Sequence, residues 1–263
     1  MSSSKVVLIT GASSGIGRAL ALAWARRGAR LVLSARAAGP LAEVAEAVRA
    51  TGAEALAVPS DVTDEASRQE LMARALAAYG GLDVLVNNAG RGHYAAALAV
   101  DPAELEATYR LNAVAPLRLA QLAIEALARA RGTIVMISSV VGVVSSPRVG
   151  AYASSKFALE ALAIALRAEI AARGVRVLVV RPGPVATPFH AHAVVDAGGV
   201  GYRPAGHKAQ LPEDVAALVL RAVDHGDDVL ETSVFVRASS VLSRVAPAIY
   251  RRLARAMAKR SGF

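Results

Sequence analysis

The chain has no cysteine among its 263 residues, which excludes disulfides, thiolate metal sites and a cysteine nucleophile together. Aromatic residues are scarce at 4%, with a single tryptophan, and charged residues make up only 19%. Hydrophobic residues reach 54%, ample for a large core. No apolar run approaches the roughly 18 residues of a membrane span. Met1-Ser2-Ser3-Ser4-Lys5 leads straight into Val6–Ile9 with no signal segment of useful length, so the expectation is a cytoplasmic protein. Acidic residues are missing from one stretch altogether. Residues 237–263 hold Arg237, Arg244, Arg251, Arg252, Arg255, Lys259 and Arg260, and without them the formal charge of +9 falls to +2. The basic character belongs to a tail.

What is present is rhythm. Apolar, β-rich runs at Val6–Ile9, Leu31–Ser34, Ala55–Val58, Leu82–Val86, Thr133–Ile137, Val175–Val180 and Val229–Val236 alternate with alanine-rich helical stretches. Several runs are continuous rather than alternating, as strands buried on both faces require. Gly28, Gly52, Gly80, Gly174 and Gly226 stand where helices should end. Repeated strand–helix–strand order predicts right-handed crossovers, hence a doubly wound parallel seven-stranded sheet in a Rossmann-like three-layer αβα fold. One catalytic domain is expected over 1–236, with residues 237–263 as a helical extension. Residues 184–210, rich in proline and glycine, read as a mobile loop and a lid over substrate.

Thr10-Gly11-Ala12-Ser13-Ser14-Gly15-Ile16-Gly17 lies between the first strand and an alanine-rich helix. Glycines there allow a tight turn, and a helix N-terminus offers free N–H groups to a pyrophosphate. The spacing is G-x-x-x-G-x-G rather than G-x-G-x-x-G. The second strand ends at Ala35, where an acid would bind the ribose hydroxyls of NAD, and Arg36 follows. A guanidinium at that point favours the 2′-phosphate of NADP(H) over NAD(H). Asp61-Val62 after the third strand, and Asn87-Asn88-Ala89-Gly90 after the fourth, complete the expected cofactor edge.

Tyr152 and Lys156 stand four apart, on one face of a helix. A free phenol titrates near pH 10, and an adjacent ammonium would pull it toward a useful acid/base range. Ser139, thirteen residues earlier at the end of the fifth strand, could hold a substrate oxygen.

Together these segments resemble the short-chain dehydrogenase/reductase family in its roughly 250-residue form. The matching residues are Thr10–Gly17, Asp61, Asn87–Gly90, Asn112, Ser139, Tyr152, Lys156 and Pro182–Thr187. The resemblance implies a catalytic set of Asn112, Ser139, Tyr152 and Lys156. Tyr152 would be the acid/base, Ser139 would orient the carbonyl, and Lys156 would bind the nicotinamide ribose and depress the tyrosine pKa. Asn112 would hold a proton-passing water. The implied cofactor contacts are Gly11, Ser13, Ser14, Gly15, Ile16, Gly17, Arg36, Asp61, Val62, Asn88, Ala89, Gly90, Tyr152, Lys156, Pro182, Gly183, Val185 and Thr187. One departure is Ser14, where many NADP-using members carry a basic residue.

By position, Val140-Val141, Arg91–Tyr94 and Phe189–Tyr202 would wall the substrate pocket. Ser139, Val141, His93, Tyr152 and Phe189 are the expected contacts. The walls are largely apolar with a few histidines, pointing to NADP(H)-dependent hydride transfer on a hydrophobic ketone or secondary alcohol. The alternatives are an NADP(H)-binding regulator without turnover and a 3-oxoacyl-thioester reductase. His190-Ala191-His192 lacks acidic or cysteine companions, so no metal is expected. Leu242, Val245, Ile249, Leu253 and Met257 recur at helical steps beside Arg251, Arg255 and Lys259. They predict a basic amphipathic helix bent near Pro247, similar to the extensions of hydroxysteroid-dehydrogenase-like members. It would pack on the body, join a homodimer or homotetramer, or touch a membrane peripherally. No nucleic-acid recognition motif accompanies the charge.

Overall fold

The computed structural model describes residues 4–196 and 209–260. Its first half runs β1 (Val6–Thr10), α1 (Gly15–Ala25), β2 (Arg30–Ala35), α2 (Ala38–Arg49), β3 (Ala55–Pro59), α3 (Glu65–Tyr79) and β4 (Val84–Asn87). The second adds β5 (His93–Tyr94), α4 (Pro102–Tyr109), α5 (Ala115–Ala130), β6 (Thr133–Ile137), α6 (Gly150–Ile170), β7 (Arg176–Arg181), β8 (Val194–Val195), α7 (Pro212–His225) and β9 (Val229–Glu231). Two tail helices follow, α8 (Val234–Val245) and α9 (Pro247–Arg260).

Seven strands form one parallel sheet in the order β3-β2-β1-β4-β6-β7-β9, with Ile9 lying between Leu33 and Val86. Alternate residues of each strand face opposite sides. Val7, Ile9 and Leu33 pack on α1, α2 and α7, while Leu8, Leu85 and Ile134 pack on α3, α5 and α6. Burial on both faces is why these strands read as unbroken apolar runs. The chain leaves β1 in one direction and resumes beyond it at β4, so a crevice opens at their carboxyl ends. The five expected helix-ending glycines all have positive φ, from +72° to +87°.

Three expectations need correction. The last strand ends at Glu231, not Val236. Ser233 accepts a hydrogen bond from the Val236 N–H and caps α8, so Val234–Val236 are helical despite their strand-favouring side chains. The tail is two helices rather than one bent helix, because Pro247 cannot donate an N–H and Ala246 leaves helical geometry at φ −131°, ψ 62°. Within α8 itself Leu242 lines the cleft, while Val245, three residues on, is exposed. Nothing is described of the Leu253, Met257 and Lys259 side chains.

The third concerns the loop. Residues 184–196 are tied down by pairing of β8 with β5, and by Val185 bridging Gln210. Residues 197–208, the rest of the expected lid and pocket wall, lie outside the described residues. The continuous helical stretch Pro102–Ala130 is long and apolar enough by composition to cross a bilayer, but half its most apolar window is buried in the body. It serves as a core helix.

Candidate active site

A cleft of about 1370 Å³ runs along the carboxyl ends of the strands. One end is built from backbone. Gly11 (φ +64°) and Gly15 (φ +52°) make the turn from β1 into α1, conformations that a side chain would strain. A Cβ on Gly11 would lie 2.9 Å from the Ala89 Cα. Asn88 braces this turn from the neighbouring strand, its Nδ2 donating to Thr10 O (2.9 Å) and Gly11 O (3.0 Å). The N–H groups of Asn88 and Ala89 both donate to Thr10 Oγ1, each at 3.1 Å. Ser14 occupies the cap position of α1 without a side-chain bond, leaving the first-turn amides open toward the cleft.

Every expected cofactor residue lines the cleft except Gly17. A Cβ there would meet Gly11 O at 2.2 Å, so Gly17 lets the helix approach the strand and contacts nothing in the cleft. Arg36 reaches the same cleft from the end of β2. Burial alone would raise the Asp61 carboxyl. The Thr63 hydroxyl (2.7 Å) and N–H (2.9 Å), with the Arg36 and Arg68 charges, hold it below its ordinary value instead. Thr187 closes over the turn from the far side, with its Cγ2 3.0 Å from a Cβ placed on Gly15. A glycine cradle, open amides and a cation at one end fit a dinucleotide.

The other end carries the side-chain chemistry. Tyr152 is 7% exposed, and its phenol is hydrogen-bonded to Ser139. Its ring packs edge-on against Tyr94 (6.2 Å between centroids) and tilted against Phe189 (5.6 Å). Burial pushes the phenol above its ordinary value, with the Ser139 hydroxyl pulling the other way. The expected depression by Lys156 does not show. That ammonium donates to Ile137 O at 2.8 Å, and burial lowers its own pKa to about 8 against the pull of Glu160. At neutral pH the phenol is therefore a proton donor and the lysine is mostly charged.

Asn112 sits in a π-helical turn, Arg110–Val114, between α4 and α5. Such turns concentrate at functional sites. Its amide donates to Arg91 O (2.9 Å) and Ser155 Oγ (3.0 Å) and accepts from Arg91 N (3.0 Å), fixing α6 to the segment after β4. Its Oδ1 lies 3.1 Å, and Lys156 Nζ 3.6 Å, from a Cβ placed on Gly90, so Asn112 and Lys156 converge there.

Val141 and Phe189 line the apolar end of the cleft as expected, but His93 does not. It is fully buried, with Nε2 2.7 Å from Asp196 and Nδ1 3.3 Å from Thr108 Oγ1. It anchors β5 and the residues after β8 and is structural. His190 and His192 reach the cleft instead, His190 with Nδ1 2.8 Å from Tyr94 OH and its pKa lowered by burial. No three-residue metal cluster occurs among the described residues.

Sequence reasoning missed the wall formed by Val144, Val149, Phe235, Leu242 and Tyr250. The last three belong to the tail. Their signal was the apolar periodicity of that segment, which does not reveal what it covers. The Tyr250 hydroxyl accepts from Ser145 N (2.8 Å) and donates to Ser145 O, clamping α9 to the segment after Ser139. Sequence also missed the ion pair behind the site. Arg181, at the end of β7, donates to both Glu160 oxygens (3.0 and 2.8 Å) and to Glu231 (3.2 Å), with Arg181 and Glu160 each 5% exposed. Glu160 lies one turn beyond Lys156 on α6.

The sequence model described as short chain dehydrogenase matches residues 5–197. An uncharacterized oxidoreductase of Methylorubrum extorquens is 38% identical over 82% of this chain and 88% of its own. The glycine betaine reductase of Emericella nidulans is 36% identical over 89% of this chain, which spans only 19% of that longer protein. Among solved structures, an alcohol dehydrogenase from Thermococcus sibiricus complexed with 5-hydroxy-NADP superposes with a TM-score of 0.77. It is 30% identical and covers 86% of this chain and 94% of its own. A short chain dehydrogenase/reductase from Burkholderia phymatum in complex with NAD gives 0.84 at 26% identity, over 94% and 95%.

Proposed function

Because the chain belongs to the short chain dehydrogenase family, we propose that it uses NADP(H) to interconvert a hydrophobic ketone and its secondary alcohol, with Tyr152 as the acid/base. The observation that carries this reading is the placement of Tyr152 and Ser139. They stand where a glycine-built nucleotide cradle meets a chamber of Tyr94, Val141, Val149, Phe189 and Leu242. The nicotinamide ring, when bound, supplies the hydride for reduction and accepts it for oxidation. The chain's own residues do the rest. Ser139 holds the carbonyl oxygen, and Tyr152 passes its phenolic proton to that oxygen as the carbon becomes a carbinol. In the reverse direction the phenolate takes the alcohol proton. Lys156, held by Ile137 O, keeps a positive charge near the phenolate so formed. The apolar walls exclude water and select uncharged substrates.

The preference for NADP(H) rests on Arg36 and on Ala35 in the place of a ribose-binding acid. A charge-assisted contact contributes about 1.5–3 kcal/mol, so Arg36→Asp is expected to shift kcat/KM from NADPH toward NADH by roughly ten- to a hundredfold. The assay is NADPH and NADH oxidation with a panel of lipophilic ketones and one 3-oxoacyl thioester. Unchanged coenzyme kinetics in Arg36→Asp removes that residue from the account. Tight NADPH binding with no turnover on any carbonyl or alcohol favours a regulator. Exclusive use of the thioester favours the acyl reductase. A homodimer or homotetramer is the assembly we assign, supported by the exposed apolar side chains of Val114, in the turn before α5, and of Phe157 and Ile164 on α6.

A further inference from the structure

Helix α8 has two apolar faces. One, formed by Phe235 and Leu242 with Ser239 between them, lines the cleft, and Val236 is buried beside it. The other is formed by Val234, Val241 and Val245, which lie seven and four residues apart and so share one side of the helix. These three are 84%, 51% and 78% exposed, and Ile249 at the start of α9 is 53% exposed. A helix that only packed on its own body would need the inner face alone.

The charge beside this outer face has one sign. Arg237 and Arg244 are seven apart and follow Val234 and Val241 by three residues, so they flank the valine row along its length. Both are exposed, as are Arg251, Arg252 and Arg255 on α9. From Thr232 to the last residue there is no aspartate or glutamate. An exposed apolar row flanked by arginines is complementary to a surface that offers negative headgroups above an apolar interior. Nucleic acid offers the charge without the apolar layer.

We propose that the outer face of the α8–α9 pair docks on an anionic lipid surface, so that the same two helices are membrane-facing on one side and the wall of the substrate chamber on the other. Substrate exchange between that surface and the chamber, past Phe235 and Leu242, rests on the reading of the site given above; the docking itself does not. Arginines near an anionic surface each add about tenfold or somewhat less to the partition coefficient.

The test is co-sedimentation of the full chain with vesicles of phosphatidylcholine containing about a third phosphatidylglycerol, and with phosphatidylcholine alone. Association with the mixed vesicles is expected, largely lost without the anionic lipid, or in roughly 1 M salt, where the screening length falls to about 3 Å. Arg237→Gln with Arg244→Gln should weaken it by roughly 30-fold, and Val241→Asp with Val245→Asp should abolish it. Both double variants should keep the wild-type melting temperature and the wild-type rate on a water-soluble ketone, since neither pair lines the cleft. No pelleting of the wild-type chain, or equal pelleting of wild type and both variants, overturns the proposal. Absence of turnover on every ketone would instead overturn the functional reading and leave the vesicle result standing.

Discussion

Replacing Tyr152 with phenylalanine is expected to lower kcat/KM for ketone reduction by about 10²–10⁴-fold, the usual contribution of a positioned acid/base. The substitution removes one oxygen and little else. The ring still fills the space between Tyr94 and Phe189, and Tyr152 makes its side-chain hydrogen bond to Ser139 rather than to the fold at large. Stability and NADPH affinity should therefore stay near wild type, and the loss should fall on the chemical step. The wild-type rate carries a related pH signature. Lys156 is charged below about pH 8 and loses its charge above it. In the mechanism proposed above that charge stands near the phenolate left after proton donation, so kcat/KM for reduction should decline as pH rises through 8. A phenylalanine variant within tenfold of wild type would remove Tyr152 from the mechanism.

Replacing Arg181 with methionine should cost about 3–5 kcal/mol of stability, or roughly 6–20 °C in Tm for a chain of this size. The reason is the carboxylate left behind. Glu160 is 5% exposed and accepts both of its ion-pair bonds from Arg181, so without the guanidinium a negative charge is stranded in the interior. Burial works against the charge of Arg181, yet the two carboxylates hold its pKa above the ordinary value. Breaking the pair differs from replacing it. Glu160→Met with Arg181→Met removes both charges, and buried pairs replaced by apolar groups are often neutral. The double variant should recover most of the lost Tm, as thermal unfolding will show. A single variant within 1 kcal/mol of wild type would mean that water or another cation compensates Glu160. The pair also ties α6, which carries Tyr152 and Lys156, to the strand leading into Pro182–Thr187, so the single variant should lose activity below its unfolding temperature.

The sheet was legible because its strands are buried on both faces and read as continuous apolar runs. The nucleotide end was legible because Gly11 and Gly15 are required by backbone conformation and Gly17 by close approach. Tyr152 and Lys156 could be placed on one helix face from their spacing alone. Asn112 was different. Nothing in its immediate sequence marks the π-helical turn, and only the resemblance pointed to it. What sequence could not show depends on partners distant along the chain. Arg181 and Glu160 are 21 residues apart, and His93 finds Asp196 across 103 residues. His93 was expected in the pocket or in a structural role from its position in Arg91–Tyr94, and its burial and bond to Asp196 make it structural. Val234–Val236 looked like strand because two β-branched residues flank a phenylalanine. The Ser233 cap and the short pairing of β9 with β7 decide otherwise. The tail's stripe from Leu242 to Met257 was expected to run along one helix bent near Pro247; the chain instead leaves helical geometry at Ala246 and starts a second helix at Pro247.

Hydride passage between nicotinamide and a substrate carbon beside Tyr152, as proposed above, can be followed with an isotope. Turnover of a lipophilic ketone with NADPH deuterated at the transferable C4 position should give an alcohol carrying one deuterium on the carbinol carbon, with no solvent hydrogen there. A carbinol hydrogen drawn from water, or coenzyme consumed with no deuterium in the product, would rule that transfer out.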